Sequence, residues 1–219
     1  MIIAIDGPAA SGKSTTAKLV AKKLSITYLD TGAMYRAVTL QLLRSKIQFN
    51  NIDKVSAVLD DMIIEMYDYK GTNIVKLNDE DISEQIRSTT VTKHVSEVSA
   101  LLFVRKSMVS MQRKIGHNTD CVVEGRDIGT IVFPNADYKF YMIANIRMRA
   151  QRRLKEMNQI GINKSLDVVI SDLKIRDYMD SNRDISPLRK AKDAVEIDTS
   201  KLSIIEQVNK IINHVKIKK

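Results

Sequence analysis

Residues Gly7-Pro8-Ala9-Ala10-Ser11-Gly12-Lys13-Ser14 follow the pattern G-x4-G-K-S, and what flanks them restricts the folds that can contain them. Met1 to Ile5 form an apolar run with the character of a buried strand. Behind the glycines, Ala17, Val20, Ala21 and Leu24 recur at helical spacing. A strand that passes through a glycine-rich loop straight into a helix lets backbone N–H groups turn inward on a polyphosphate, and the helix N-terminus adds partial positive charge. A chance glycine turn requires neither flanking element. In this setting Lys13 can reach the β- and γ-phosphates, the Ser14 hydroxyl can ligate Mg2+, and Gly7 through Ser14 with Thr15 line the nucleotide. A nucleoside triphosphate is the expected ligand.

The same rhythm continues along the chain. Strands are predicted at 2–6, 27–30, 121–124, 138–143 and 194–197. Helices are predicted at 13–24, 32–45, 146–158, 166–182 and from about 201. Strands alternating with helices call for an α/β fold with a central parallel five-stranded sheet flanked by helices, in which ligands sit at the carboxyl ends of the strands. Residues 62–82 break the pattern. Ile63 to Tyr69, then Lys70-Gly71-Thr72-Asn73, then Ile74 to Leu77 read as a β-hairpin with a glycine-bearing turn, placed as a small β-rich insertion.

Composition narrows the function. The 219 residues suffice for one α/β domain with an insertion, and 44% apolar with 28% charged residues exclude disorder. Cys121, alone of its kind, excludes an internal disulfide and is expected as a buried, inert thiol in a reducing compartment. His94, His117 and His214 are scattered without ligand spacing, which argues against a metal held by imidazole. No signal peptide and no long apolar run is visible, so a cytoplasmic protein without a membrane role is expected. The net charge of +9 raises nucleic acid as a partner, yet most of the excess lies between Arg147 and Lys192. That stretch holds twelve Lys/Arg against six Asp/Glu and one aromatic, Tyr178. Bases need aromatic platforms, so phosphates are the simpler target and no nucleic acid is expected.

Three further constellations carry charge toward the expected site. Asp30-Thr31-Gly32-Ala33-Met34-Tyr35-Arg36 follows the second strand; Thr31 can cap the helix and Arg36 falls in its second turn. Glu124-Gly125-Arg126-Asp127-Ile128-Gly129 follows the next central strand, where flanking glycines turn the backbone and present Arg126 and Asp127 at the strand's carboxyl end. On the helix 166–182, Val169 and Leu173 begin an apolar stripe that continues as Arg176, Asp180 and Arg183. A face that starts as core and ends as charge, followed by Arg189, Lys190 and Lys192, suits a lid over phosphates. Two unit charges at about 4 Å interact by about 4 kcal/mol at an effective dielectric of about 20, so two polyphosphates need cations between them. Lys13, Arg36, Arg126, Arg176 and Arg183 exceed what one triphosphate requires and imply a second phosphorylated substrate. A GTP-binding switch would need N-K-x-D; Asn163-Lys164-Ser165-Leu166-Asp167 has one residue too many and sits at a helix entry, where Ser165 or Asp167 can cap. A kinase of another small acceptor is the second alternative.

Taken in order, G-P-A-A-S-G-K-S, L-D-T-G-A-M-Y-R, V-E-G-R-D-I-G-T and R-D-x-x-D-x-N-R-x-x-x-P-L resemble the bacterial cytidylate kinases, nearly end to end and including the hairpin insertion. The resemblance implies a P-loop nucleoside monophosphate kinase with core at about 1–35, 110–160 and 190–219, a monophosphate-binding insertion at about 36–105 and a lid at about 160–190. It implies transfer of the ATP γ-phosphoryl group to CMP or dCMP, with Mg2+ bound alongside ATP, by a monomer. Thr31, Arg36, Arg126 and Arg183 would hold the acceptor phosphate; Ser96, Arg105 and Asp127 would read the cytosine; Arg176 and Asp180 would hold the sugar hydroxyls. Lys13, Arg126 and Arg183 would be the catalytic cations. Glu124 stands where the family often has Asp, which leaves its role open. Ser96 and Arg105 are nine residues apart, so both can reach one base only if the helix breaks between them, near Leu101 to Phe103.

Overall fold

A computed structural model describes residues 1–69, 72–159 and 161–217. In chain order the elements are β1 (Ile2–Asp6), α1 (Lys13–Leu24), β2 (Thr27–Asp30), α2 (Thr31–Arg44), α3 (Ile52–Asp60), β3 (Ile64–Tyr69), β4 (Thr72–Leu77) and β5 (Glu80–Asp81). There follow a 3-10 turn (Gln85–Arg87), α4 (Thr89–Ala100), α5 (Leu102–His117), β6 (Cys121–Gly125), a π-helical turn (Ile128–Val132), β7 (Tyr138–Ile143), α6 (Ile146–Gln159), α7 (Leu166–Asn182), β8 (Val195–Asp198) and α8 (Ile204–Ile217). The chain divides into two compact units: Met1–Leu29 with Gly116–Lys219, and Asp30–Ile115.

The larger unit is built on the expected five-stranded parallel sheet, in the order β2-β6-β1-β7-β8. β1 lies in the middle, parallel to β6 on one side and β7 on the other, with Asp6 level with Gly125 and Tyr141. Strand order reverses at β1, and the phosphate loop leaves from that switch point, where open α/β sheets bind ligands. Both faces of β1 are apolar because both are covered. Ile3, Ile5, Val122, Phe140, Met142 and Ile197 pack with Ala17, Val20 and Ala21 of α1 and Val208, Ile211 and Val215 of α8. A second cluster joins Ala150 and Met157 of α6 to Val169 and Leu173 of α7, so the apolar start of the predicted stripe is core. Cys121 is fully buried, and burial pushes its thiol up to about 11, as an inert thiol requires.

Element ends follow local capping. Ser165 Oγ accepts the Val168 N–H at 3.4 Å, so the segment resembling a guanine loop is the entry to α7. α8 begins at Ile204, three residues later than expected from periodicity, because Ser203 and Glu206 form a capping box: Glu206 Oε2 accepts the Ser203 N–H at 2.7 Å and Ser203 Oγ accepts the Glu206 N–H at 3.3 Å.

The smaller unit contains the expected antiparallel hairpin, β3 with β4, in the register Ile64↔Leu77 to Tyr69↔Thr72. Its predicted turn at Lys70-Gly71 lies outside the described residues. A third strand, β5, pairs with β4 through Leu77↔Glu80. The two-residue connection Asn78-Asp79 has φ of 47° and 68°, the left-handed pair that twists with a hairpin. α4 and α5 are separate helices. Leu101, extended at φ −66° and ψ 127°, breaks the line where the spacing of Ser96 and Arg105 demanded. Among the described residues no helix is long and apolar enough to cross a membrane, and no cluster of three His, Cys, Asp or Glu side chains is assembled.

Candidate active site

Three backbone conformations shape the phosphate loop: Gly7 at φ +153°, Ala10 at +58° and Gly12 at +93°. A Cβ on Gly7 would lie 2.2 Å from the Met142 carbonyl oxygen, so glycine is obligatory where the loop leaves β1. Three of the loop's carbonyls are held by side-chain donors. Lys13 Nζ donates to Pro8 O at 3.0 Å, Arg149 of α6 donates to Ala9 O at 3.2 Å, and Arg152 and the Thr199 hydroxyl donate to Ser11 O at 3.3 and 2.8 Å. Carbonyls engaged in this way leave the loop's N–H groups as the donors available to an anion.

Lys13 is buried at the start of α1. Burial, with the nearby charges of Arg126 and Arg176, lowers its ammonium to about 7, against the opposing pull of Glu124 and Asp180. Next to it, Ser14 Oγ donates to Glu124 Oε2 at 2.8 Å, and the Tyr28 hydroxyl donates to the other carboxylate oxygen. A hydroxyl and a carboxylate are hard oxygen donors. This pair fits Mg2+, which takes one or two protein oxygens and completes its shell with water and substrate phosphates.

Beyond β6, two ion pairs connect the strand-end turn to the region of α7. Arg126 Nε donates to Asp180 Oδ2 at 2.8 Å, and Arg183 Nη2 stands 3.6 Å from Asp127 Oδ1. Both aspartates are buried, and the arginine side chains are largely covered. Burial opposes charge on Arg126, but Asp180 holds its guanidinium above its ordinary value. Burial likewise pushes the Asp180 carboxyl up, yet Arg126 and Arg176 outweigh it and hold it below the usual carboxylate range. Arg183 lies just past the end of α7, its Nε–H donating to Ser186 O at 2.6 Å.

In the smaller unit the cap of α2 is Asp30 and not Thr31. Asp30 Oδ1 accepts the Ala33 N–H at 2.8 Å, while Thr31 is the first helical residue and is buried. The carboxylate wins because it reaches the third helical N–H and also accepts from Arg36 Nη2 at 3.2 Å, fixing Arg36 in the second turn. The Arg36 Nε–H is buried without a partner among the described residues. Arg105 is 2% exposed on α5; its Nη1 donates to Ser99 O at 3.1 Å and its guanidinium lies 5.3 Å from the Tyr35 ring centroid. Ser96 is half-buried on α4, and its carbonyl accepts from the Ser99 hydroxyl at 3.1 Å.

Sequence reasoning missed the supporting residues: Tyr35 and Ser99 behind Arg105, Arg149, Arg152 and Thr199 behind the loop, and Asp177, which pairs with Arg149 at 2.7 Å. It also passed over Asp6, a carboxylate closing an otherwise apolar strand. That placement is itself a signal, because a buried charge at the end of a central strand needs partners.

Fold and loop together define a P-loop phosphotransferase of the small-kinase type. A shikimate kinase from Bacteroides thetaiotaomicron has the same fold, with TM-score 0.51 at 10% identity, covering 99% of this chain and 98% of that one. The cytidylate kinase family model matches residues 3–217, and the chain belongs to the cytidylate kinase family. A cytidylate kinase of Halalkalibacterium halodurans is 48% identical over 216 residues, 99% of this chain and 97% of that protein. One of Clostridioides difficile is 48% identical over 215 residues, 98% of each.

Proposed function

We propose that this chain transfers the γ-phosphoryl group of Mg-ATP to CMP or dCMP, giving ADP and CDP or dCDP, in the cytoplasm as a monomer, within pyrimidine nucleotide metabolism. The observation that carries the reading is geometric: Lys13, buried at the start of α1, is followed directly by Ser14, whose hydroxyl donates to Glu124 Oε2 at 2.8 Å, where the glycine loop ends. A buried ammonium beside a hydroxyl–carboxylate pair suits a polyphosphate that carries a divalent cation. Family membership supplies the acceptor.

The acceptor is a phosphate monoester, nucleophilic at neutral pH, so the site needs no general base. Its residues position and neutralise. The loop Gly7, Pro8, Ala9, Ala10, Ser11, Gly12, Lys13, Ser14 and Thr15 lines the donor phosphates, with N–H groups from every residue but Pro8 to donate, and Lys13 spans the β- and γ-groups. Ser14, with Glu124 as its acceptor, holds Mg2+, which when bound neutralises charge on the donor phosphates. Thr31, Arg36, Arg126 and Arg183 hold the acceptor phosphate. Arg183 also covers the group in flight, where charge spreads over the equatorial oxygens. Asp127 accepts from the cytosine amino group, which uracil lacks, and Ser96 and Arg105 complete the base contact. Arg176 and Asp180 take the sugar hydroxyls. A lid at 160–190 excludes the water that would hydrolyse ATP.

The test is ADP release in a coupled assay across CMP, dCMP, UMP, AMP and shikimate. Turnover should be greatest with CMP or dCMP. No turnover with either would sink the reading.

A further inference from the structure

Asp127 occupies the N-cap position of the π-helical turn, at φ −142° and ψ 24°, yet its side chain makes no capping bond. An aspartate in that position ordinarily uses its carboxylate on the first N–H groups of the helix. Here the first two of those donors are taken by a residue more than a hundred positions earlier. Asp6 Oδ1 accepts the Ile128 N–H at 2.8 Å, and Asp6 Oδ2 accepts the Gly129 N–H at 2.8 Å. Asp6 is 4% exposed, and a Cβ on Gly129 would lie 3.4 Å from Asp6 Oδ2 and 3.1 Å from Lys139 Cδ, so the carboxylate meets this turn at close quarters. The turn is completed by Asp127 O, which accepts from Ile131 N at 2.9 Å. The Asp127 carboxylate instead faces Arg183.

We infer that Asp6 is a positioning residue: by capping the turn from the end of β1, it keeps the Asp127 carboxylate aimed away from the turn's first N–H groups, in the orientation with which it discriminates the base of the acceptor nucleotide. The chemistry is specific to a carboxylate on a short stem. Two convergent N–H donors need two acceptor atoms, and an asparagine would set its own NH2 against one of them. Burial pushes the Asp6 carboxyl up to about 7, with Asp127 adding to the push and the two N–H bonds and Lys13 opposing it. Holding that charge inside is costly, and the two N–H bonds offset part of the cost.

This inference rests on Asp127 reading the base. Steady-state kcat/KM for CMP and for UMP, with KM for ATP, is compared in the wild type, D6N, D127N and the double variant. D6N should cut the CMP-to-UMP preference about tenfold while moving KM for ATP less than about twofold, and the double variant should discriminate no worse than D127N alone. Additive losses, or a D6N variant that weakens ATP and CMP alike, would make Asp6 only a prop of the phosphate loop and overturn the inference. Wild-type preference in D6N beside a clear loss in D127N overturns it too, and leaves the functional reading standing. Unchanged preference in D127N overturns both. Should D6N not accumulate as folded protein, Asp6→Ser, which keeps one acceptor in less volume, is read in the same way.

Discussion

Arg126 and Asp180, 54 residues apart in sequence, meet at 2.8 Å with both side chains largely withdrawn from water. The contact makes the turn after β6 and the end of α7 one electrostatic object. Removing the carboxylate strands a buried guanidinium, so Asp180→Ala should destabilise the protein by about 3 kcal/mol in urea unfolding. The pH dependence has a definite sign. Asp180 titrates below the usual carboxylate range in the folded chain because Arg126 and Arg176 overcome its burial. Its contribution is therefore complete above about pH 4 and is lost as pH falls through the folded value. Asp180→Asn should flatten that acid limb; an unaltered limb would mean that other carboxylates set it.

Arg183 reaches Asp127 at 3.6 Å and sits outside the regular turns of α7. Truncating it removes charge from the reacting group and leaves sheet and core untouched. Arg183→Ala should lower kcat about a hundredfold while circular dichroism still reports a folded protein, with a lower melting temperature because the buried Asp127 carboxylate loses its partner. Turnover close to wild type would remove Arg183 from the catalytic set.

Gly7 tests the phosphate loop itself. Its φ is +153°, and a Cβ at this position would stand 2.2 Å from Met142 O, which leaves no room for alanine. Gly7→Ala should abolish ATP binding by calorimetry and lower the melting temperature. Normal binding would mean that the loop can be re-formed in another geometry.

Glu124 orients Ser14 and is itself held by Tyr28. Glu124→Gln keeps the shape and loses the charge, so the Mg2+ concentration for half-maximal activity should rise about tenfold. Chelation of Mg2+ should stop turnover in the wild type. An unchanged Mg2+ requirement in Glu124→Gln would exclude Glu124 from holding the ion.

Tyr35 supports Arg105 through its ring, at 5.3 Å. Tyr35→Phe keeps the aromatic face and Tyr35→Leu does not. KM for CMP should rise about fivefold in the leucine variant, the scale of one cation–π contact, and much less in the phenylalanine variant. Equal effects would point to the hydroxyl instead.

Legibility in the sequence tracks the range of the interaction concerned. The five strands of the sheet, the phosphate loop and α7 are readable because each is written in contiguous residues: an apolar run, a glycine spacing, a stripe at three and four. The Leu101 break follows from the resemblance, which sends Ser96 and Arg105 to one base, together with geometry, since nine residues of straight helix cannot aim two side chains at one ligand. The cap of α2 falls one residue from its expected place because aspartate and threonine are both good caps. Only the fold shows that Asp30 also holds Arg36. β5 and the π-helical turn carry no periodic signal and stay hidden in the sequence.

Lys13, Ser14 and the glycines around them are a local device, and local chemistry specifies it: small residues where the backbone must turn, a cation and a hydroxyl one step further on. Asp6 with Gly129, Arg126 with Asp180 and Arg149 with Ala9 belong to another order of information. Each joins segments far apart along the chain, and each is strong because packing has removed the water that would otherwise compete for the same donors. Residue types announce which groups can pair, but burial and convergence of strand ends select the pairs that form.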